Sequence, residues 1–259
     1  MVETVLGGRD EMPVSVVVRC AGREKLFNGV LDCLLQQTVS PSEILVVMDS
    51  NSENETNYVT KRLEPYQNTK LVTLKHEEFS HPYSTNLGVA SSKEELVCIT
   101  NGHSLPISLH WLEKGLHHFE DEEIAGVSGY YFPTKKGTIK QVFHFIEKSV
   151  QGTVLFTTIN CIIRKSRWRE YPFDENLLNL IPETEKLGGE DYDWSLEMVS
   201  RGYKIVLDPA FSVVHAHQEN IALEIYRNTK NYFVYKRPFE RIKRLKRPRK
   251  AFKFLKKTP

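Results

Sequence analysis

Short runs of apolar residues alternate with helical patterns along the first hundred residues of the 259-residue chain. The first run, VSVVV at 14–18, is continuous and β-branched, which is typical of a strand buried on both faces. Further strand-like runs follow at 43–49, 70–76 and 95–100. The stretch after the first strand carries apolar residues at helical spacing up to Gln37. This order predicts an α/β fold with a Rossmann-like, mostly parallel sheet flanked by helices.

The pattern continues through the second half of the chain. Strands are predicted at 125–132 and in the segment 160–168, where a turn should follow the strand. A helix that starts beside two glycines and two acids should stop at Gly202 and pass into the strand YKIVL. The last ordered stretch is predicted at 211–217, so the apolar pattern indicates one continuous domain.

The charge distribution separates this domain from a basic C-terminal extension. Of the 35 basic and 33 acidic residues of the chain, 12 basic and 1 acidic lie in 236–257, which leaves 23 and 32 elsewhere. Cations interleaved with bulky apolar residues are typical of a segment that binds an anionic membrane surface. Binding of nucleic acid and a merely solvated tail are the alternatives, and we favour nucleic acid least.

Composition gives an expectation for the compartment. The chain has 40% hydrophobic and 26% charged residues, no apolar run of membrane-spanning length, and no basic segment followed by an apolar one at its start. Its four cysteines are scattered without a CxxC pair. We therefore expect a cytoplasmic protein, with the tail a candidate for peripheral contact with the inner face of the membrane.

Polar residues follow several of the predicted strands. The stretch Arg19–Arg23 comes after the first strand, Asp49 ends the second, and 101–103 (Asn-Gly-His) follow the fourth. In doubly wound sheets, ligands bind at the carboxyl ends of the strands. We therefore expect these residues to line one site.

Acidic residues mark the start of the helix that ends at Gly202. Glu190 and Asp191 follow two glycines, and a carboxylate held there can act as a general base if its neighbours tune its pKa. The alternative is that these acids, with Asp193, complement the positive end of the helix dipole.

Several stretches, taken in order, resemble one family of enzymes. They are VSVVVRCAGREKLFNGVLDCLLQQT, SEILVVMDSNS, FSHPYSTNLGVASS, GHSLPISLHWL, YPFDENL, GGEDYDWSLEMVSRGYKI and VVHAH. Together they are similar, over roughly 13–217, to the inverting, nucleotide-sugar-dependent glycosyltransferases of family two, which have a GT-A fold. The third stretch looks like a segment of the rhamnosyltransferase-like members.

The resemblance implies an activity and a division of the chain. The expected reaction moves a sugar from a nucleotide diphosphate sugar, UDP- or dTDP-linked, to a glycan or lipid-linked acceptor with inversion. The expected organisation is a GT-A domain over 1–235, with a nucleotide-binding half at about 13–106 and an acceptor-side half at about 107–217, followed by the basic tail at 236–259.

The resemblance also assigns roles to residues. Asp191 is expected to be the catalytic base, with Glu190 orienting it or holding an acceptor hydroxyl. The residues expected to bind the donor are Cys20, through its backbone, Asp49, Asn86 and Asn101. Asp49 could instead be a turn residue, and Asn86 a turn or cap residue.

The metal-binding motif of the family is altered in this chain. Its usual Asp-x-Asp is Asn101-Gly102-His103 here. An Asp-x-His variant with a late metal-binding histidine is a feature of mucin-type N-acetylgalactosaminyltransferases, and this likeness implies that His103 and His215 hold a divalent ion. An imidazole ligand shifts the preference from Mg²⁺ toward Mn²⁺. The alternatives are a direct hydrogen bond from His103 to the diphosphate, or simple loop packing.

Two other functions are open for this chain, because its metal-binding motif differs from that of the family. The first is a catalytically silent member of the same fold that binds nucleotide or glycan. The second is a nucleotide-binding oxidoreductase, which the lack of a GxGxxG after the first strand disfavours.

Among the tryptophans, Trp168 lies in a polar segment and is predicted to contact the acceptor, whereas Trp111 and Trp194 are predicted to pack in the core.

Overall fold

A computed structural model of the chain describes residues 12–21, 26–132, 150–151, 156–177 and 189–215. The described part contains a large mixed sheet with helices on both faces. This confirms the predicted fold class for the described residues. The basic tail at 236–259 lies outside them.

The large sheet has eight strands in the order β3-β2-β1-β4-β9-β6-β10-β8. Strands β3, β2, β1 and β4 are parallel, β9 is antiparallel to both β4 and β6, β10 is parallel to β6, and β8 is antiparallel to β10. A small second sheet has the order β5-β11-β7. The strands are β1 Val14–Cys20, β2 Glu43–Asp49, β3 Thr69–Leu74, β4 Leu96–Asn101, β5 Ser104–Pro106, β6 Ile124–Ser128, β7 Tyr131–Phe132, β8 Val150–Gln151, β9 Asn160–Arg164, β10 Lys204–Leu207 and β11 Val213–His215.

Six α-helices are described. They are α1 Phe27–Leu35, α2 Glu53–Leu63, α3 His81–Ser91, α4 Trp111–Leu116, α5 Lys165–Glu170 and α6 Glu190–Ser200. Three short 3-10 helices lie at His76–Glu78, His117–Glu120 and Pro209–Phe211.

The core has two layers because the central strands are buried on both faces. All seven residues of β1 are buried, including the β-branched run at 14–18 for which burial on both faces was predicted. Val16 packs in the layer that contains α1 and α4, whereas Val17 packs in the layer that contains α3 and α6. Both layers are apolar, so the hydrophobic effect holds the sheet between its helices.

The segment predicted as one strand at 125–132 divides between the two sheets. Strand β6 ends at Ser128, and β7 begins at Tyr131 in the small sheet. The cause lies at Gly129, where an added Cβ would stand 1.5 Å from the backbone oxygen of Phe211. A glycine therefore allows the chain to cross beside Phe211 and change sheets.

Two further elements differ from the sequence expectations. The segment after β9, predicted as a turn, is the helix α5, which buries Trp168. The motif around Asn86 forms the helix α3, whose N-cap Ser80 accepts a hydrogen bond from the backbone N–H of Tyr83.

Candidate active site

Arg19 is the centre of a polar network at the carboxyl ends of β1 and β4. Its Nη1 donates to Thr85 Oγ1 at 2.8 Å, and its Nη2 donates to Asn101 Oδ1 and to the Thr158 backbone oxygen, each at 3.0 Å. The guanidinium therefore ties together α3, β4 and the segment before β9. Arg19 and Asn101 are each only 9% exposed, so a low-dielectric environment strengthens these charge-assisted bonds.

The acid pair lies next to this network, at the start of α6. Gly189 has a φ of 116°, a left-handed conformation that glycine adopts without strain, and α6 begins with Glu190 immediately after it. The Thr158 backbone N–H donates to Asp191 Oδ2 at 3.2 Å. Thr158 therefore connects the Arg19 guanidinium to the Asp191 carboxylate.

The environment of Asp191 suits a general base. Burial and the neighbouring Glu190 carboxylate raise the pKa of Asp191 to about 6. Hydrogen bonds from the N–H groups of Tyr192 and Thr158, and the Arg19 cation, act in the opposite direction and lower this pKa. Burial also raises the pKa of Glu190, and Arg19 opposes it. A base with a pKa of about 6 is ionised at neutral pH and still accepts a proton readily.

The alternative role of these acids, to complement the positive end of the helix dipole, is also supported in part. Asp191 Oδ1 accepts a hydrogen bond of 2.8 Å from the Tyr192 backbone N–H at the first turn of α6. Asp193 Oδ2 accepts a hydrogen bond of 2.9 Å from the Tyr171 hydroxyl, away from the strand ends. Of the described acids at this helix start, Asp191 is thus linked to the Arg19 network and Asp193 to a packing contact.

His81, the first residue of α3, belongs to the same site. Loss of hydration among the surrounding groups and the Arg19 cation lower the pKa of His81 to about 4, while the Asp191 and Asp49 carboxylates oppose this. Arg19, Asp191 and Asp49 therefore all act electrostatically on His81, which is neutral at pH 7 with a pKa of about 4.

Asp49 and Cys20 lie at the adjacent strand ends. Cys20 pairs in register with Met48, the residue before Asp49. The Asp49 Oδ2 atom lies 3.2 Å from His76 Nδ1, which connects the end of β2 to the 3-10 helix after β3. Cys20 is 6% exposed and Asp49 is 9% exposed.

His103 and His215 come together on the small sheet. Their ring centroids are 4.5 Å apart with a tilt of 40°, and β11 pairs antiparallel with β5 so that His215 faces Ser104. Ser104 Oγ and His215 Nδ1 are 2.8 Å apart. When Nδ1 is the protonated nitrogen, Nε2 carries the lone pair that a metal ligand needs. The two imidazoles are thus close enough to share a divalent ion, and Asn101, the last residue of β4, lies two positions before His103.

Asn86 and Trp168 lie in the protein interior, contrary to their expected contacts with donor and acceptor. The Asn86 amide nitrogen donates to the Phe173 backbone oxygen and to Glu175 Oε1, and its oxygen accepts from Trp168 Nε1 and the Phe173 N–H. These four bonds use the full hydrogen-bonding capacity of the amide. Trp168 is 4% exposed, whereas Trp111 and Trp194 are fully buried, as predicted. The Asn86–Trp168 pair therefore joins α3 to α5.

Sequence reasoning missed Thr158 and His81, and it expected Arg19 only as part of a stretch lining the site, without a role of its own. A signal for Arg19 is its position at the end of a strand buried on both faces, where a cation needs partners. Thr158 acts through its backbone, which no residue pattern reveals.

A comparison with family models identifies one match. The model described as glycosyl transferase family 2 matches residues 15–177, more than half of the chain. The O-antigen chain rhamnosyltransferase RfbN of Salmonella typhimurium is 24% identical over 217 residues, which cover 80% of this chain and 67% of that protein. These findings confirm the resemblance stated from the motifs.

Solved structures share the fold at low sequence identity. A mannosyltransferase, PcManGT from Pyrobaculum calidifontis in complex with GDP-Man and Mn²⁺, has a TM-score of 0.67 at 16% identity and covers 91% of this chain. GalNAc-T7 with UDP, GalNAc and Mn²⁺ has a TM-score of 0.61 at 13% identity and covers 79% of this chain. S. aureus TarS 1-349 has a TM-score of 0.57 at 17% identity and covers 78% of this chain. The chain spans 65%, 43% and 59% of these structures respectively.

The described helices were also compared with the length and hydropathy that a membrane span requires. Among the residues described, none of the helices combines sufficient length with sufficient apolar character to cross a bilayer.

Proposed function

The chain belongs to glycosyl transferase family 2, and from that premise we propose that it transfers one sugar, with inversion, from a UDP- or dTDP-linked donor to a hydroxyl of a glycan or lipid-linked acceptor. The observation that carries the proposal is the link from Asp191 through Thr158 to Arg19 and Asn101 at the strand ends. The curated relative is an O-antigen chain rhamnosyltransferase, which supports a saccharide acceptor.

Asp191 is the proposed catalytic base. Inversion by a single displacement requires a group that removes the proton of the acceptor hydroxyl as its oxygen attacks the anomeric carbon. The raised pKa of Asp191, about 6, matches that task near neutral pH. Glu190, 3% exposed at the start of α6, is proposed to orient Asp191 or to hold an acceptor hydroxyl, and its negative charge helps to raise the pKa of Asp191.

The donor is proposed to lie across the ends of β1, β2 and β4. Asp49 would accept hydrogen bonds from the base or ribose, and the Cys20 backbone would contact the base. Asn101 would lie beside the diphosphate, since its side chain is already held by Arg19. The Asn86 side chain has no part in this proposal because its hydrogen-bonding groups are used within the protein.

His103 and His215 are proposed to hold a divalent ion, with Mn²⁺ preferred over Mg²⁺ because both ligands are imidazoles. The support is the 4.5 Å separation of their rings and the Ser104 contact that orients His215. When bound, such an ion neutralises charge that develops on the leaving diphosphate.

The decisive experiment measures transfer by the full chain and by Asp191→Asn. A panel of UDP-, dTDP- and GDP-sugars, each with and without Mn²⁺, first identifies the donor by the rise in melting temperature, because a ligand of the native state stabilises it. Release of nucleotide diphosphate in the presence of saccharide acceptors is then followed. Asp191→Asn should lower kcat by about 10²–10⁴-fold and leave donor-induced stabilisation in place.

Glu197→Gln is the matched control, because it makes the same carboxylate-to-amide change near the other end of α6. Glu197 bonds to Arg201, away from the Arg19 network. The transfer rate of the Glu197→Gln variant should stay close to that of the unchanged chain. Donor binding without turnover in the unchanged chain would instead identify a catalytically silent binding protein.

A further inference from the structure

A second cluster of metal-ligating side chains lies outside the proposed donor site. His117 and His118, in the 3-10 helix after α4, and Asp208, at the end of β10, each offer one ligand atom. These three atoms lie within 4.8 Å of one another. Two elements that are far apart in the sequence therefore bring two imidazoles and a carboxylate to one place.

Hydrogen bonds orient the members of this cluster. His118 Nε2 lies 2.7 Å from Asp208 Oδ2, and Asp208 Oδ1 accepts from the Ala210 backbone N–H at 2.8 Å. His117 Nδ1 lies 2.5 Å from the Lys114 backbone oxygen. Because a carbonyl oxygen only accepts, His117 Nδ1 is protonated and Nε2 carries the lone pair. The bonds to the Lys114 oxygen and from the Ala210 N–H are outer hydrogen bonds of the kind typical of histidine and carboxylate ligands of metal ions.

Burial and charge also suit a cation. The side chains of His118 and Asp208 are 8% and 10% exposed, and His117 is exposed. The Asp208 carboxylate supplies a negative charge, and the exposed His117 leaves the cluster open to ions from solvent.

We propose that His117, His118 and Asp208 bind a zinc-type transition-metal ion that fastens the end of α4 to the turn after β10. Two imidazoles and one carboxylate, with water as a fourth ligand, form a set that Zn²⁺ accepts. The ion takes the place of the proton shared by His118 and Asp208. Bonds of about 2.0–2.1 Å in a tetrahedral site put ligand atoms about 3.3 Å apart, so ion binding requires the three atoms to close their present spread of up to 4.8 Å.

The stabilising effect follows from what the ion joins. Helix α4 already packs against the turn at 209–211, where the rings of Trp111 and Phe211 stack with centroids 4.6 Å apart. An ion bound to the native state and not to the unfolded chain adds stability that grows with its concentration. This role is independent of sugar transfer and does not involve His103 or His215.

The test uses the full chain after treatment with a chelator. Zn²⁺ is titrated by calorimetry and by thermal unfolding, and Co²⁺ absorption in the visible range reports a tetrahedral nitrogen and oxygen shell. We expect saturable binding and a melting temperature that rises with Zn²⁺. His117→Ala, a change at an exposed position, should weaken binding by more than about tenfold without lowering the melting temperature of the metal-free chain.

Two controls separate this site from other histidines. His110 is exposed and lies 2.8 Å from Glu113, so His110→Ala removes a histidine–carboxylate pair on the same stretch of chain. Zn²⁺ binding should survive His110→Ala, and His103→Ala should remove at most the ion of the proposed donor site while the site that depends on His117 remains. The proposal is overturned if Zn²⁺ does not bind, if His117→Ala binds it unchanged, or if His103→Ala removes the response. The last result would assign the ion to the donor site.

Discussion

At the residue scale, the site is organised by one buried cation. Arg19 makes hydrogen bonds to three separate segments and lies in electrostatic contact with His81 and Asp191. A guanidinium can do this because its donors form a planar fork with fixed directions. Arg19 is therefore a positioning residue, since it holds Thr158 and Asn101 in place beside the proposed base.

The pKa of Asp191 predicts the pH dependence of transfer. Because the pKa of Asp191 is raised to about 6, its carboxyl group is protonated below that pH. It then cannot remove the proton from the hydroxyl of the acceptor. The rate should fall about tenfold per pH unit below about 6 and level off above it. Measurement of kcat/KM from pH 4.5 to 8.5, with donor binding followed in parallel, checks this. A profile that is flat through pH 6 while binding is unchanged would contradict the assignment of Asp191.

Substitution of Arg19 should change both the rate and the pH profile. In Arg19→Gln the loss of the cation raises the pKa of Asp191 further, because Arg19 lowers it in the native chain. The acid limb of the pH profile, where the rate falls as the pH is lowered, should therefore move to higher pH. In addition, kcat should fall by about 100-fold because the base is misplaced. Arg19→Lys keeps the charge but loses the fork.

The comparison of the two variants separates charge from geometry. Arg19→Lys should lose rate while its acid limb stays near that of the unchanged chain. A limb that stays in place in both variants would show that Arg19 does not act on the base.

At the scale of elements, close packing of α3 against the sheet sets the position of the site. A Cβ added at Gly88 would stand 2.4 Å from Val17 Cγ1 and 3.1 Å from Val47 Cγ2. The glycine lets the helix lie directly on β1 and β2. Since His81 begins the same helix, this contact also places its ring at the strand ends.

Gly88→Ala should therefore destabilise the fold, by about 1–3 kcal/mol for an overpacked core position. Gly29→Ala is the matched control in α1, where an added Cβ would meet Leu105 at an ordinary 3.4 Å. It should stabilise the chain by about 0.5–1 kcal/mol, because alanine is the better helix former. Chemical denaturation of both variants measures the difference, and equal effects would contradict the close packing of α3.

At the scale of the whole molecule, the charge of the chain is divided unevenly. The 12 basic residues of 236–257 stand against a remainder with 23 basic and 32 acidic residues. A polybasic segment with apolar residues between its cations gains about 1 kcal/mol per Lys or Arg near an anionic bilayer. Contact of this tail with a membrane that carries the acceptor remains a prediction, as does the division of the chain into donor and acceptor halves.

Removal of 236–259 should abolish binding to anionic vesicles. Co-sedimentation with phosphatidylserine-containing vesicles should recover the full chain, with less recovered at high salt because ions screen the attraction. Zwitterionic vesicles are the control for both chains. Equal recovery of the full and shortened chains, when both have the same melting temperature, would exclude the tail as the binding segment.

Much of the fold could be predicted because its signals are local. The β-branched run of β1, the apolar runs of β2 and β4, and the acids and glycine that bound α6 each lie within a few neighbouring residues. The segment at 125–132 could not be divided correctly, because the close approach of Gly129 to Phe211 depends on residues 82 positions apart.

The sequence by itself determined the family and most of the strand and helix pattern, and it predicted the edge of the sheet where the proposed site lies, since each follows from periodicity or from motifs read in order. Only the tertiary structure decided which polar residues meet. Asn86 lies in the interior, where it accepts hydrogen bonds from Trp168 and Phe173. Arg19 and Asp191 both form hydrogen bonds to the backbone of Thr158. The physical reason is that hydrogen bonds require atoms about 3 Å apart, and such distances between remote segments are set by packing of the whole core.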